Sequence, residues 1–125
     1  MFTNAKTYKE KPVLIQKMVA ALAESVFLVE KKPEVGMASV GKTLRINDPD
    51  ILQSAYDAFA KRLINQRLIV PAKMVAETID NAREEGTVIR RKASEVFDNT
   101  FVENLEKSGF MKELWGGALP EERKR

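Results

Sequence analysis

Several residue types on which protein chemistry commonly depends are absent or scarce in this chain of 125 residues. The sequence has no cysteine and no histidine, and it has a single tryptophan. Without cysteine there is no disulfide scaffold and no thiolate metal site, and without histidine the commonest general base and metal ligand is missing. We therefore predict no catalytic residue, no metal site and no cofactor, and we expect the protein not to be an enzyme.

Long hydrophobic runs are also lacking. A helix that spans a bilayer needs about 20 mostly apolar residues, and the longest candidate, residues 18–29, is interrupted by Glu24 and Ser25. The first six residues do not have the charged-then-apolar order of a secretory signal. We expect the chain as written to have no signal peptide, and to be either cytoplasmic or a piece of something longer.

The composition is that of a globular protein, with 44% hydrophobic and 31% charged residues. The length predicts one helical domain over residues 1–118 and a frayed tail over residues 119–125. The net charge of +3 comes from basic residues that alternate with acidic ones along the chain, as on ordinary solvated helix faces. We therefore expect no nucleic-acid partner.

Apolar residues recur at spacings of three and four, which predicts an all-α fold of about five helices with at most one short strand. The first helix is predicted from Pro12 to Lys31. A weaker second helix, from Pro33 to Arg45, contains Gly36 and Gly41. Small residues permit close helix approach, but low intrinsic helix stability is the simpler interpretation. The stripe that we expect the first helix to bury consists of Leu14, Ile15, Met18, Val19, Leu22, Val26 and Val29.

Two further helices have clear boundary signals. Asp48 is predicted to cap a third helix that starts at Pro49 and ends near Leu63. Residues 65–70 form a predicted extended connector, and a fourth helix follows from Ala72 to Glu85, with Gly86 as its stop. Residues 87–92 are predicted to be a short strand or a loop. The buried face expected for the third helix is Leu52, Ala55, Tyr56, Phe59 and Leu63, and that of the fourth is Val75, Ile79 and Ala82.

The closing segment has its own start and stop signals. Asp98 or Asn99 is predicted to cap the helix, and Gly109 to take the left-handed conformation at its end. Phe110 is then expected to fold back onto the last turn. The apolar residues that we expect this segment to bury are Phe101, Val102, Leu105, Met111, Leu114 and Trp115.

One stretch matches a short motif with a known mechanism. Residues 36–43 (Gly-Met-Ala-Ser-Val-Gly-Lys-Thr) have the spacing of a phosphate-binding loop. Such a loop requires an apolar strand directly before its first glycine, and residues 30–35 (Glu-Lys-Lys-Pro-Glu-Val) cannot form one. We interpret the match as a coincidence; real nucleotide binding would be lost in the variant Lys42→Ala.

Other candidate residues have structural explanations. Glu84 and Glu85 are adjacent and so do not face each other on a helix. Asp48 and Asp50 fit a helix start, and no complete calcium-binding loop follows them. We expect core positions for the aromatic residues Tyr8, Tyr56, Phe110 and Trp115.

The order of these boundaries resembles the carboxyl-terminal region of a known family. The resembling segments are residues 8–12 (Tyr-Lys-Glu-Lys-Pro), 31–34 (Lys-Lys-Pro-Glu), 44–52 (Leu-Arg-Ile-Asn-Asp-Pro-Asp-Ile-Leu), 56–59 (Tyr-Asp-Ala-Phe) and 101–110 (Phe-Val-Glu-Asn-Leu-Glu-Lys-Ser-Gly-Phe). Together they resemble bacterial solute-binding proteins for nitrate, sulfonates, taurine and thiamine-precursor pyrimidines. Those proteins serve binding-protein-dependent ABC importers.

The resemblance implies that this chain is the helical fragment of a two-lobed α/β binding protein, which would work outside the cytoplasm. It implies a small-molecule solute and an ABC-transporter permease as partners of the full-length protein. In that family most residues that bind the ligand lie in earlier segments of the protein. We therefore assign no ligand-binding residue to this chain. The alternative is a standalone helical interaction module. Either way, apolar helix faces without a covering sheet predict a homo-oligomer.

Overall fold

The computed structural model describes residues 3–120, apart from the side chains of residues 61 and 62, and within that range it contains helices and turns but no strand. The all-α prediction is confirmed. Residues 3–120 contain seven α-helices where about five were expected, because short helices precede and follow the predicted set. Residues 119 and 120 are not helical, and the rest of the predicted tail lies outside the described residues. The helices are α1 (Ala5–Glu10), α2 (Pro12–Lys31), α3 (Pro33–Leu44), α4 (Pro49–Ala58), α5 (Ala72–Glu84), α6 (Thr100–Lys107) and α7 (Phe110–Leu114), with a π-helical turn at Phe59–Leu63 and a 3₁₀ turn at Ala93–Glu95.

Helix α2 is the centre of the fold. Helices α1, α3, α6 and α7 and the π-helical turn all pack against it. Its bounds are those predicted, with Pro12 in the first turn. One core cluster joins α2 to the closing segment, and its buried members are Ile15, Val19, Ala23, Val102, Leu105 and Met111. Val102 and Leu105, which the closing segment was predicted to bury, lie in this cluster.

The predicted buried stripe of α2 is wrong for three of its residues. Leu14, Met18 and Leu22 are 46%, 49% and 39% exposed, whereas Ala23, which the prediction left out, is fully buried. Residues are spaced about 100° apart around a helix, so the seven predicted residues spread over a wide arc of α2. The helices packed on one side of α2 cannot bury the whole of that arc. The core cluster that α2 shares with α6 and α7 lies on the side that includes Ala23.

The glycines of α3 allow helices to approach closely. Gly36 and Gly41 are both buried. A Cβ added at Gly36 would lie 3.1 Å from Val29 Cγ1 and 3.3 Å from the Tyr56 ring. The Tyr56 hydroxyl also donates a 3.0 Å hydrogen bond to the Val29 carbonyl. The interpretation of these glycines as merely weak helix formers is therefore wrong, because other residues of the same chain occupy the space that a side chain would need.

Helix α4 begins as predicted but ends early. The Asp48 carboxylate accepts hydrogen bonds from the backbone N–H groups of Asp50 and Ile51, at 2.9 and 3.2 Å. Beyond Ala58 the chain widens into the π-helical turn, which shifts the inward-facing position. Ala60 is therefore buried, while Phe59 and Leu63, which were predicted to be buried, are 61% and 58% exposed.

Helix α5 lies apart from the other helices. Among the described elements it packs only against the 3₁₀ turn. Its predicted inward residue Ile79 is buried, and Gly86 takes a left-handed φ of 88° just after the helix. Residues 87–92 form a loop rather than a strand. The Arg83 guanidinium holds this loop by donating to the carbonyls of Ile89 and Arg91.

Side-chain hydrogen bonds tie the connector before α5 to α6. The Asn99 amide makes two bonds with the backbone of Val70, accepting from its N–H at 2.9 Å and donating to its carbonyl at 3.0 Å. Arg67 forms a two-point ion pair with Glu106, with both N···O distances 2.8 Å. The connector therefore has a fixed position although it is not helical.

Helix α1 was not predicted, although it has a capping signal. The Asn4 side chain accepts a 2.8 Å hydrogen bond from the Thr7 N–H. The expectation that Tyr8 is a core residue is wrong, because its side chain is exposed. Its ring meets Phe101 edge-on, and its hydroxyl donates a 2.7 Å hydrogen bond to the Asp98 carboxylate. The same carboxylate caps α6 by accepting from the Thr100 N–H at 2.8 Å, so Asp98 joins α1 to α6.

The substitution Gly41→Ala separates the two interpretations of the α3 glycines. A Cβ at position 41 would lie 2.9 Å from the Ile46 carbonyl oxygen, so we expect the free energy of unfolding to fall by about 1–3 kcal/mol. If the glycine were only a weak helix former, alanine would instead raise it by about 1 kcal/mol. Urea denaturation measures the sign. Ser39→Ala, at an exposed position of the same helix, is the matched control and should change little.

The Asp98 carboxylate predicts a pH dependence of stability. Hydrogen bonds from Thr100 and Tyr8 lower the pKa of Asp98 below its ordinary 3.8. A lowered folded-state pKa stabilises the fold above the unfolded-state value, and this stabilisation is lost as pH falls through the folded-state pKa. We therefore expect Asp98→Asn to be less stable than the wild type near neutral pH, with the difference shrinking below about pH 4. A difference that stays constant on acidification would contradict this.

Candidate functional site

The acidic residues considered from the sequence do not form a site. Among residues 3–120, no group of three or more Asp or Glu side chains is placed to hold a metal ion. Asp48 and Asp50 stand at the start of α4, where the Asp48 carboxylate caps the helix. Glu84 and Glu85 are exposed at the end of α5. Both pairs of acidic residues therefore lie at the start or the end of a helix, which explains their positions.

The stretch with phosphate-loop spacing is helical. Residues 36–43 lie wholly within α3, so their backbone N–H groups do not converge on one point as they do in a phosphate-binding loop. Gly36 and Gly41 lie against Tyr56 and Ile46. The glycines therefore make room for the protein's own chain rather than for a ligand.

A small open crevice lies between α5 and the 3₁₀ turn. Its charged lining residues are Asp80, Arg83 and Lys92. The Arg83 guanidinium is already engaged, since it pairs with Asp80 at 3.2 Å and donates to the Ile89 carbonyl at 3.1 Å. Arg83 is therefore committed to the protein's own groups rather than to a ligand.

Trp115 and Phe110 belong to the core rather than to a stacking surface. Both pack against the buried core cluster. The Trp115 ring meets Phe27 edge-on, with ring centroids 5.2 Å apart, and Lys31 Nζ lies 5.9 Å from its centroid. The indole N–H is buried, and no partner for it is present among the described residues. This packing agrees with the core position expected for both aromatic residues.

The most distinctive surface of the described structure is a second apolar face on α2. We call it the open face. It lies about 120° around the helix from the buried face and runs along nearly the whole of α2. All six of its residues are exposed: Leu14, Met18, Ala21, Leu22, Ser25 and Leu28. Because α2 contributes its other side to the core, it is apolar on two sides and covered on only one.

The open face has a charged edge. Lys17 and Glu24 are exposed and lie seven residues apart, so they occupy one side of the helix about two turns from each other. They are the only charged residues between Pro12 and Val29. The open face is thus an apolar strip with one charge of each sign beside it.

The expectation that no stretch is long enough to span a membrane needs correction. By length and composition alone, α2 is long and apolar enough to span a membrane, and most of its apolar stretch is not buried within the fold. The interruptions at Glu24 and Ser25 are too few to change this. Core helices of soluble proteins and signal sequences pass the same test, so it does not assign α2 to a membrane.

Comparison with protein-family models, with curated proteins and with solved structures finds no match for this chain. The surfaces of the molecule and the sequence resemblance described above are therefore the evidence that bears on function. The surface that needs an explanation is the open face, since exposed contiguous apolar patches commonly mark interaction sites.

Sequence reasoning placed three residues of the open face, Leu14, Met18 and Leu22, in the core, although all three are exposed. The sequence does contain one signal of a second face, because Phe27 and Leu28 are apolar but do not fit the predicted stripe. In the structure, the second half of α2 is apolar on more than one side. Phe27 packs against Trp115, and Leu28 is 39% exposed.

Paired substitutions on α2 test whether the open face is outside the core. In dilute solution, Met18→Lys should change the free energy of unfolding by no more than about 0.5 kcal/mol, because its side chain is exposed. The adjacent Val19→Lys should destabilise by several kcal/mol, since it buries an unpaired charge. Urea denaturation followed by circular dichroism measures both variants. Equal destabilisation by the two would show that Met18 is in the core.

Proposed function

We propose that the chain is the carboxyl-terminal helical region of a solute-binding protein that serves an ABC importer. The order of its helix boundaries and closing segment supports this, through the resemblance to binding proteins for nitrate, sulfonates, taurine and thiamine-precursor pyrimidines. The observation that carries the proposal is the open face of α2. A helix that covers a sheet turns an apolar face towards it, and in a two-lobed α/β protein a sheet would cover this one.

In this proposal the role is binding rather than catalysis. The full protein takes up a small organic or anionic solute outside the cytoplasm and delivers it to the permease of the importer. The helical region packs against one lobe of the protein, while most residues that bind the solute lie in other segments. The region then contributes stability to the lobe through the open face.

A second candidate is a standalone helical module that associates with itself or with a protein partner. The observation that favours it is the charged edge of the open face, because Lys17 and Glu24 give this face the means to select the orientation of a partner helix. The two candidates differ in what covers the open face: a sheet of the same protein or a surface of another molecule.

A chimera tests the first candidate. Residues 3–120 replace the corresponding carboxyl-terminal region of a characterised solute-binding protein of the resembling family. Because the solute contacts of that scaffold lie mostly elsewhere, we expect the chimera to fold and to bind the scaffold's own solute within about tenfold of the parent affinity, or about 1.4 kcal/mol. Isothermal titration calorimetry measures the affinity.

The same chimera carries its own control. If a sheet covers the open face, Met18→Lys buries a charge and should abolish folding or solute binding. Ser39→Lys, at an exposed position of α3, should leave both unchanged. A chimera that does not fold, or one that tolerates Met18→Lys as well as Ser39→Lys, would count against the proposal.

A further inference from the structure

We infer that the open face of α2 binds the same face of a second copy of this chain, with the two α2 helices antiparallel. The inference deepens the second candidate function and concerns the chain by itself. It is separate from the solute-binding proposal, whose chimera is tested by a different measurement. The occupant is fixed by two features of the open face, one of size and one of charge.

The first feature is the distribution of large and small residues. Leu14, Met18, Ala21, Ser25 and Leu28 follow one another at alternating spacings of four and three, which is the pattern of a helix-pairing seam. The amino-terminal half of the seam has two large side chains, and the next two positions have small ones. Parallel helices would place small residues opposite small ones and leave gaps between the helices.

Antiparallel helices fill those gaps. Leu14 then lies opposite the partner's Ser25, and Met18 lies opposite the partner's Ala21. In a two-fold pair each contact occurs twice, because residue i of one copy meets residue j of the other and the reverse. Large side chains therefore insert over small ones along the centre of the seam, which is the fit that close helix packing requires.

The second feature is the charged edge, which selects the same register. The midpoint between Lys17 and Glu24 coincides, within one residue, with the midpoint between Leu14 and Ser25. The antiparallel pair therefore brings each Lys17 beside the partner's Glu24. In a parallel two-fold pair the two charged edges would instead lie on opposite sides of the pair, where Lys17 could not reach the partner's Glu24. Exposed ion pairs add little affinity, so we assign affinity to the apolar seam and orientation to the charges.

Introduced cysteines test the orientation, since the chain has no cysteine of its own. A disulfide needs Cα atoms less than about 7 Å apart. The variants Leu14→Cys and Ser25→Cys, mixed and mildly oxidised, should form the mixed disulfide. Leu14→Cys alone should not cross-link, because antiparallel packing separates the two copies of residue 14 by about 16 Å along the helix. Intact-mass spectrometry should show at least about tenfold more of the mixed species.

Charge exchange tests the register independently. Lys17→Glu places like charges together at both ends of the edge and should weaken dimerisation by about tenfold. Adding Glu24→Lys to the same chain should restore the original affinity. Lys112→Glu, an exposed charge change on α7, is the matched control and should have no effect. Sedimentation equilibrium gives the dissociation constants, and circular dichroism checks that each variant is folded.

Three results would overturn the inference. One is a wild-type chain that remains monomeric at all protein concentrations. Another is efficient self-cross-linking of Leu14→Cys, which would indicate parallel helices. The third is co-sedimentation with anionic lipid vesicles without any mixed disulfide, which would identify a lipid surface as the partner. None of these decides the solute-binding chimera, so the two proposals can fail separately.

Discussion

The packing of α6 and α7 on one side of α2 is the interaction on which the rest of the described structure depends. Ala23 and Met111 are both fully buried where these helices meet. Once α6 is fixed there, Asp98 positions α1 through Tyr8. The connector before α5 is likewise held to α6 by Asn99. The fold is therefore organised around one face of one helix, with the other elements attached through polar contacts and close helix approach.

That arrangement creates the open face as a consequence. A 20-residue helix presents more apolar surface than the short helices α6 and α7 can cover. The neighbours α3 and the π-helical turn also pack against α2, yet Leu14, Met18 and Leu22 remain exposed. Apolar area removed from water contributes roughly 25 cal/mol per Å², so burial of this surface by any well-fitting partner is favourable. The two proposed partners are a sheet of the same protein and a second copy of the chain.

Helix boundaries could be predicted well from the sequence, and helix faces less well. Pro12, Asp48 and Gly109 mark boundaries because each acts through local backbone chemistry, which needs no knowledge of the fold. Burial depends on which neighbouring helices are present, so the prediction of the buried residues of α2 was only partly correct. The prediction that Phe59 is buried assumed a regular helical period. The π-helical turn breaks that period and makes Ala60 the inward position instead.

The candidate site was harder to predict than the fold. Met18 and Leu22 look like core residues in the sequence, and only the positions of α6 and α7 show that they are outside. The role of Gly36 also depended on tertiary structure, since Val29 and Tyr56 come close to it from other helices. In both cases the residue types were informative, but their function is set by what lies opposite them.

Helix α2 has one face in the core and one face that is open to a partner, and two methionines of the chain test this most directly. Met111 is fully buried and Met18 is 49% exposed. Hydroxyl-radical oxidation, measured residue by residue by mass spectrometry, should modify Met18 readily and Met111 hardly at all in dilute protein. As protein concentration rises, Met18 alone should become protected. If Met18 is as protected as Met111 in the dilute monomer, the open face does not exist and the account is wrong.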